Sequence, residues 1–166
     1  MKLARITRLA VAMAAVTAAA VAAPATAEAS AIHPDGFPFP YLCQDSSSDI
    51  RYTPGTTIGS GTSDCTGDYG YELVNQGDGN LVIYADNNGR DGAIWASNTD
   101  VGAAAYDVVQ NDGNFVVYRQ SNGAALWATN TSGHSGAYLC FQLDGNLVVY
   151  AAGGNCSGKA LWASGT

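Results

Sequence analysis

Basic residues are scarce in this chain: seven Lys and Arg stand against fourteen Asp and Glu in 166 residues. Three of the seven, Lys2, Arg5 and Arg8, fall at the very start, so only Arg51, Arg90, Arg119 and Lys159 remain beyond residue 27. That balance argues against charge-driven binding to phosphate backbones or to anionic lipid. Neither a nucleic-acid partner nor membrane insertion is expected. Glutamate is rarer still, with Glu28 and Glu72 alone, and no two carboxylates stand in a glycosidase-like context. The two histidines, His33 and His134, lie near no candidate nucleophile, so the chain is not expected to be an enzyme. None of the four cysteines forms a C-x-x-C pair and neither histidine is placed as their partner, which argues against zinc. No cofactor and no metal are expected. Also missing, beyond residue 27, is any apolar spacing at i, i+3 and i+4 held over three turns, so essentially no helix is predicted there.

What is present begins with an address. Residues 1–27 join a positive start to the apolar, alanine-rich run 9–21 and the small-x-small site Ala25-Thr26-Ala27. These are the three regions of an export signal, and the apolar run is short for a transmembrane helix. A secreted, extracellular protein is expected, with about 140 residues left after cleavage, enough for one core. Residues 28–49 form an N-terminal extension in which His33 to Pro40 holds three of the five prolines. Such a stretch cannot continue a ladder and reads as an extended arm. An even cysteine count behind an export signal reads as two disulfides, with three connectivities open. Cys43–Cys65 and Cys140–Cys156 are preferred, because each closes a short local loop.

The rest, residues 50–166, is a repeat. Residues 76–84 read QGDGNLVIY, 110–118 QNDGNFVVY and 142–150 QLDGNLVVY, starting 34 and 32 residues apart. Five types recur at alternate positions: Gln76, Asp78, Asn80, Val82 and Tyr84; Gln110, Asp112, Asn114, Val116 and Tyr118; Gln142, Asp144, Asn146, Val148 and Tyr150. Alternation is strand spacing and puts these side chains on one face, with Leu81, Ile83, Phe115, Val117, Leu147 and Val149 on the other. The Asp-Gly step is equally a hairpin signal. After each stretch comes a second mark: IWASNT at 94–99, LWATNT at 126–131 and LWASGT at 161–166. Trp95, Trp127 and Trp162, each behind an aliphatic residue, suit a shared core better than a sugar-stacking platform. Short strands punctuated by glycine turns predict an all-β array of one repeated unit. Residues 50–75 keep strand character without a clean motif, as a first repeat.

A sugar presents neighbouring hydroxyls over a patch of ring C–H groups. Asp accepts hydrogen bonds, Asn and Gln donate and accept, Tyr does either, and Val offers apolar contact. Turn chemistry explains Asp, Gly and Asn, but leaves the recurrence of Gln and Tyr unexplained. Calcium loops gather several carboxylates, whereas each copy here has one.

The motif Q-x-D-x-N-x-V-x-Y followed by W-A-[ST]-N-T resembles the bulb-type mannose-binding lectins, of which this would be a secreted bacterial member. The resemblance spans about residues 50–166 with all fifteen motif positions intact. It implies a β-prism II fold: three four-stranded antiparallel sheets about a pseudo-threefold axis, with one sugar site in each. It also implies roles, with Asp and Asn on the mannose 2-hydroxyl, Gln on the 3-hydroxyl and Tyr on the 4-hydroxyl. Mannose-containing glycans or polysaccharides are then the expected partners. A lectin-like antibacterial toxin (bacteriocin) or a cell-surface interaction protein on the same fold is the alternative. Relatives often dimerise by exchanging a C-terminal strand, and with four residues after Trp162 a monomer or weak homodimer is expected.

Overall fold

The structure, a computed structural model, describes residues 45–66, 70–86 and 91–166. The segment expected to be an export signal, the proline-rich stretch, Cys43 and Arg90 lie outside the described residues. Thirteen strands and no helix are described, as the missing helical periodicity predicts. In chain order they are β1 (Asp45–Ser46), β2 (Ile50–Tyr52), β3 (Thr57–Ile58), β4 (Thr62–Thr66), β5 (Tyr71–Asn75), β6 (Leu81–Asp86) and β7 (Asp91–Ala96). Then follow β8 (Ala105–Val109), β9 (Phe115–Arg119), β10 (Ala125–Ala128), β11 (Tyr138–Phe141), β12 (Leu147–Tyr150) and β13 (Ala160–Ala163).

Three meanders, β5-β6-β7, β8-β9-β10 and β11-β12-β13, each form three-quarters of an antiparallel sheet. The fourth strand differs in origin. In the first sheet it is β4, directly preceding β5; in the second it is β3 and in the third β2. The stretch 50–75, read as a first repeat, is therefore divided, its early strands closing the edges of the two later sheets. A two-residue β1 adds to the first sheet by pairing in parallel with β4. With β1 set aside, three four-stranded antiparallel sheets make the β-prism II arrangement.

Alternation decides what faces inward. Leu73, Leu81, Ile83, Val109, Phe115, Val117, Leu139, Phe141, Leu147 and Val149 join Tyr52 and Ile58 in one buried cluster. The six residues placed opposite the polar motif by the sequence pattern are all in it. The tryptophans pack against this cluster as a triad, one from each sheet, with ring centroids 5.3, 5.5 and 5.7 Å apart and planes 71–74° apart. Edge-to-face contact at this spacing suits the ring quadrupoles. The indoles are partly buried and pack on the core, in line with their flanking aliphatics. Those aliphatics also have a local reason. Each third strand carries a register shift, Ile83 facing Trp95 but Tyr84 facing Ala93, so Ile94 is an extra bulge residue. Leu126 and Leu161 occupy the same place in β10 and β13. A bulge re-aims the strand locally, and here it recurs beside each indole.

The ring of sheets closes through polar contacts. Asp78 O accepts from Val101 N and Ala103 N, and Asp112 O from His134 N. The third join uses the N-terminal strands: Tyr52 of β2 donates to Asp64 Oδ2 of β4 at 2.7 Å, and Thr66 Oγ1 at the end of β4 donates to Gln142 O at 3.0 Å. Cys140 and Cys156 form the expected disulfide, Cα atoms 5.6 Å apart. Cys65 is also disulfide-bonded; its expected partner, Cys43, lies outside the described residues.

Candidate functional site

Each Gln-to-Tyr stretch begins in the turn after the first meander strand and ends in the second strand. Gln76 N donates to Asn80 O and Gly79 N to Gln76 O, so residues 76–80 form the turn between β5 and β6. The same two bonds close 110–114 and 142–146. The Asp-Gly-Asn step is therefore a turn, while Val and Tyr lie on the strand that leaves it. Gly79, Gly113 and Gly145 have φ of +96°, +93° and +83°, a region open to glycine. Space forbids a side chain as well: a Cβ on Gly113 would stand 2.2 Å from His134 O, and one on Gly79 2.5 Å from Ala103 O.

Asp and Asn each serve the turn with one oxygen. Asp78, Asp112 and Asp144 accept through Oδ1 from the backbone N of Asn80, Asn114 and Asn146 at 3.0, 3.0 and 3.1 Å. Asn80 Oδ1 accepts from Ser97 Oγ and from Thr99 N, both at 3.1 Å. Thr129 and Thr131 repeat this on Asn114, and Ser164 with Gly165 on Asn146. The final Thr hydroxyl of each set donates to the carbonyl of the turn glycine. The residue between the hydroxyls sits at positive φ, Asn98 at 56°, Asn130 at 57° and Gly165 at 78°. Asn and Gly are the types that tolerate this, which explains the Asn, Asn, Gly sequence there. This hydroxyl clamp was missed in the sequence reading, although its signal, [ST]-x-T in phase behind every Trp-Ala, was present.

The far end of each site is a Gln–Tyr pair. Gln76 Nε2 donates to Tyr84 Oη at 2.7 Å, Gln110 Nε2 to Tyr118 Oη at 2.7 Å, and Gln142 Nε2 to Tyr150 Oη at 3.3 Å. Gln142 Nε2 also donates to Cys156 O at 3.4 Å. Between the two ends lie Val82, Val116 and Val148, at most 3% exposed, as the floor. Burial raises the Tyr84 phenol above its usual pKa against the Gln76 hydrogen bond, with Asp78 and Glu72 adding to the rise. It is a neutral O–H in the physiological range.

All fifteen expected residues are thus assembled as three separate sets. Each turn fixes one carboxylate oxygen and the amide oxygen of its Asn. That leaves a second carboxylate oxygen and an Asn Nδ2 that no bond of the turn uses, together with the Gln Oε1 at the other end. Acceptors and donors side by side over an apolar floor can engage adjacent hydroxyls. Among the described residues the one cluster with metal-ligating atom types is Asp49, Cys140 and Cys156, and both its sulfurs are in the disulfide. It is not a ligand set.

No protein-family profile and no curated protein matches the sequence. Solved structures do. A monomeric monocot mannose-binding lectin of Gastrodia elata is 36% identical with a TM-score of 0.57, covering 72% of this chain and 96% of its own. The Marasmius oreades lectin is 31% identical with a TM-score of 0.58, covering 76% and 97%. The mannose-specific agglutinin of snowdrop, Galanthus nivalis, solved with methyl-α-D-mannoside, is 31% identical with a TM-score of 0.54, covering 68% and 96%. This likeness, spread over nearly the whole length of each neighbour, supports carbohydrate binding, and the chain belongs to the bulb-type mannose-binding lectin family.

Proposed function

We propose that this protein is a secreted, metal-independent, non-enzymatic lectin that recognises terminal mannose through its three Gln-Asp-Asn-Val-Tyr sites. The observation that carries the reading is the threefold recurrence of one frame: a turn that fixes Asp and Asn, a buried Val floor, and a hydrogen-bonded Gln–Tyr pair. Folding needs the turn; it does not need Gln and Tyr to recur eight residues apart in all three copies. Recognition of adjacent hydroxyls does. The axial 2-hydroxyl, held at the Asp–Asn end, would separate mannose from glucose.

Each site is shallow and polar, so a single sugar should bind weakly, at roughly millimolar Kd or about −4 kcal/mol. Useful avidity comes from multivalency, about 10² or more where one ligand spans two sites. High-mannose glycans, mannans and other mannose-bearing polysaccharides are suitable partners. The test is a titration of the mature protein with methyl α-mannoside and methyl α-glucoside, with and without chelator. Mannose-selective binding that chelator leaves untouched is expected. No response at tens of millimolar mannoside would overturn the reading and favour a toxin or interaction protein on the same fold.

A further inference from the structure

The three sites share a frame, but not a neighbour. Across the sheet from the site tyrosine stands Glu72 in the first site, Tyr106 in the middle one and Tyr138 in the third. Glu72 is 2% exposed and leaves no aromatic surface there. Tyr138 is fully buried: the Arg51 guanidinium lies 4.1 Å from its ring centroid, and its hydroxyl donates to Ser157 O at 3.3 Å. The loop that buries it is pinned by the Cys140–Cys156 disulfide. Tyr106 and Tyr118 are stacked with centroids 5.5 Å apart and planes 21° apart, and both are half-buried. In the other two sites the site tyrosine itself, Tyr84 or Tyr150, is buried. The turn between β9 and β10 brings no side chain over the Tyr106 ring at its glycine: a Cβ built on Gly123 would only graze the phenol oxygen, at 3.9 Å. Gln120 and Ser121 on that turn are exposed.

We propose that Tyr106, stacked on Tyr118, forms a second subsite of the middle site, and that it takes the adjoining pyranose unit of a mannose oligosaccharide. The inference rests on the lectin reading of the same site. A partly exposed ring offers its π-face to the C–H face of a pyranose, and its phenol can donate to or accept from a hydroxyl. The subsite adjoins Tyr118, so a sugar held by Gln110, Asp112, Asn114 and Tyr118 has Tyr106 directly beside it. The first site has no ring in this place, and the third has a ring already covered. The middle site alone is then expected to distinguish an oligosaccharide from a single mannose.

The experiment uses the full mature chain carrying Asp78→Asn and Asp144→Asn, so that the middle site dominates the signal. Methyl α-mannoside and an α-linked dimannoside panel are titrated into this background, and into the same background with Tyr106→Phe or Tyr106→Leu. An aromatic contact predicts that the best dimannoside binds about two- to ten-fold tighter than methyl mannoside. Tyr106→Phe should keep most of that ratio, and Tyr106→Leu should bring it close to one. Should Tyr106→Leu not fold, the Tyr106 ring resonances of the unsubstituted background decide, since they should shift with dimannoside and not with methyl mannoside. Methyl mannoside binding with a ratio near one, a ratio that survives Tyr106→Leu, or unmoved Tyr106 resonances would overturn the subsite alone. Absence of methyl mannoside binding in the unsubstituted protein would overturn the lectin reading beneath it.

Discussion

The turn at Asp78 and the turn at Asp112 have the same hydrogen-bond lengths, 3.0 Å from Asp to Asn N, 3.1 Å from the clamp hydroxyl to Asn, and 2.7 Å from Gln to Tyr. Behind these identical frames the two sheets differ. On the outer face Glu72 is replaced by Tyr106; on the inner face Leu73 is replaced by Asp107, and Asn75 by Val109. The frame is therefore a property of the repeat, whereas access and stability are set by what each sheet places behind it. Asn75 and Asp107 meet each other at that inner seam, Nδ2 to Oδ2 at 3.0 Å, and Asn75 also donates to Ile58 O at 3.3 Å on the borrowed edge strand β3. The remaining oxygens, Asn75 Oδ1 and Asp107 Oδ1, are buried and have no hydrogen-bond partner among the described residues. The third sheet has Leu139 and Phe141 at these positions, both fully buried.

The largest expected effect comes from breaking the shared frame. Gly113→Ala forces a Cβ against a backbone carbonyl, where no rotamer can yield, and sets Ala at φ +93°. Left-handed strain and overpacking together should cost about 2–5 kcal/mol. Gly145→Ala meets the half-buried Tyr71 ring instead, at 2.3 Å, and a ring can move. Denaturant unfolding of the two variants should place Gly113→Ala lower; equal losses would show that the neighbouring backbone yields as readily as a side chain.

Breaking the inner seam comes next. Burial pushes the Asp107 carboxyl up to about 7, against the hydrogen bond from Asn75. Below about pH 4 folded and unfolded carboxyls are both protonated. As pH rises from there the unfolded chain ionises while folded Asp107 keeps its proton, so stability falls until about pH 7, where the folded group ionises too. The full decline is up to about 4 kcal/mol. Asp107→Asn should remove it, so the stability difference between wild type and variant should shrink with falling pH between 7 and 4. A difference that stays constant over that window would refute the assignment. Replacing both members, Asn75→Val with Asp107→Leu, makes the seam resemble the third sheet and should equal or exceed wild-type stability at pH 7.

Much of this contrast was legible in the sequence. Alternation placed Leu81 and Ile83 opposite Asn80 and Val82, and phase placed the tryptophans together, because both depend on local periodicity. The assignment of β2 and β3 to distant sheets was not legible, because two or three extended residues carry no mark of their partner. Nor were the neighbours of the site tyrosines singled out, although Tyr106 and Tyr138 each stand four residues before a motif Gln. The hydroxyl clamp was in plain view and was overshadowed by the indole beside it.

The third sheet sharpens the comparison through its disulfide. Cys140 stands where Val74 and Val108 stand in the other sheets, opposite the floor valine. Its bond to Cys156 closes a loop of 16 residues' separation, which should contribute about 3 kcal/mol. Cys140→Ala with Cys156→Ala should lose that amount and release the 151–159 loop from Tyr138. Amide exchange should quicken there and leave the turn at Asp112 unchanged; quickening at both would mean that the sheets are not independent.

The smallest effect tests whether burial, more than bonding, sets the worth of the clamp. Thr99 Oγ1 donates to Gly79 O at 2.6 Å and pairs with Ser97 Oγ at 2.7 Å, in a residue 5% exposed. Thr166 makes the same two contacts, at 2.8 and 3.1 Å, but is exposed. Thr→Val keeps the shape and removes the hydroxyl. At position 99 it strands a buried carbonyl and one hydroxyl partner, which should cost about 1–3 kcal/mol. At position 166 water can replace the lost donor, so less than about 0.5 kcal/mol is expected. Thermal unfolding of the two variants at one pH separates these values. If Thr166→Val proves as damaging as Thr99→Val, the clamp acts through its own bonds wherever it sits, and the three frames are equal after all.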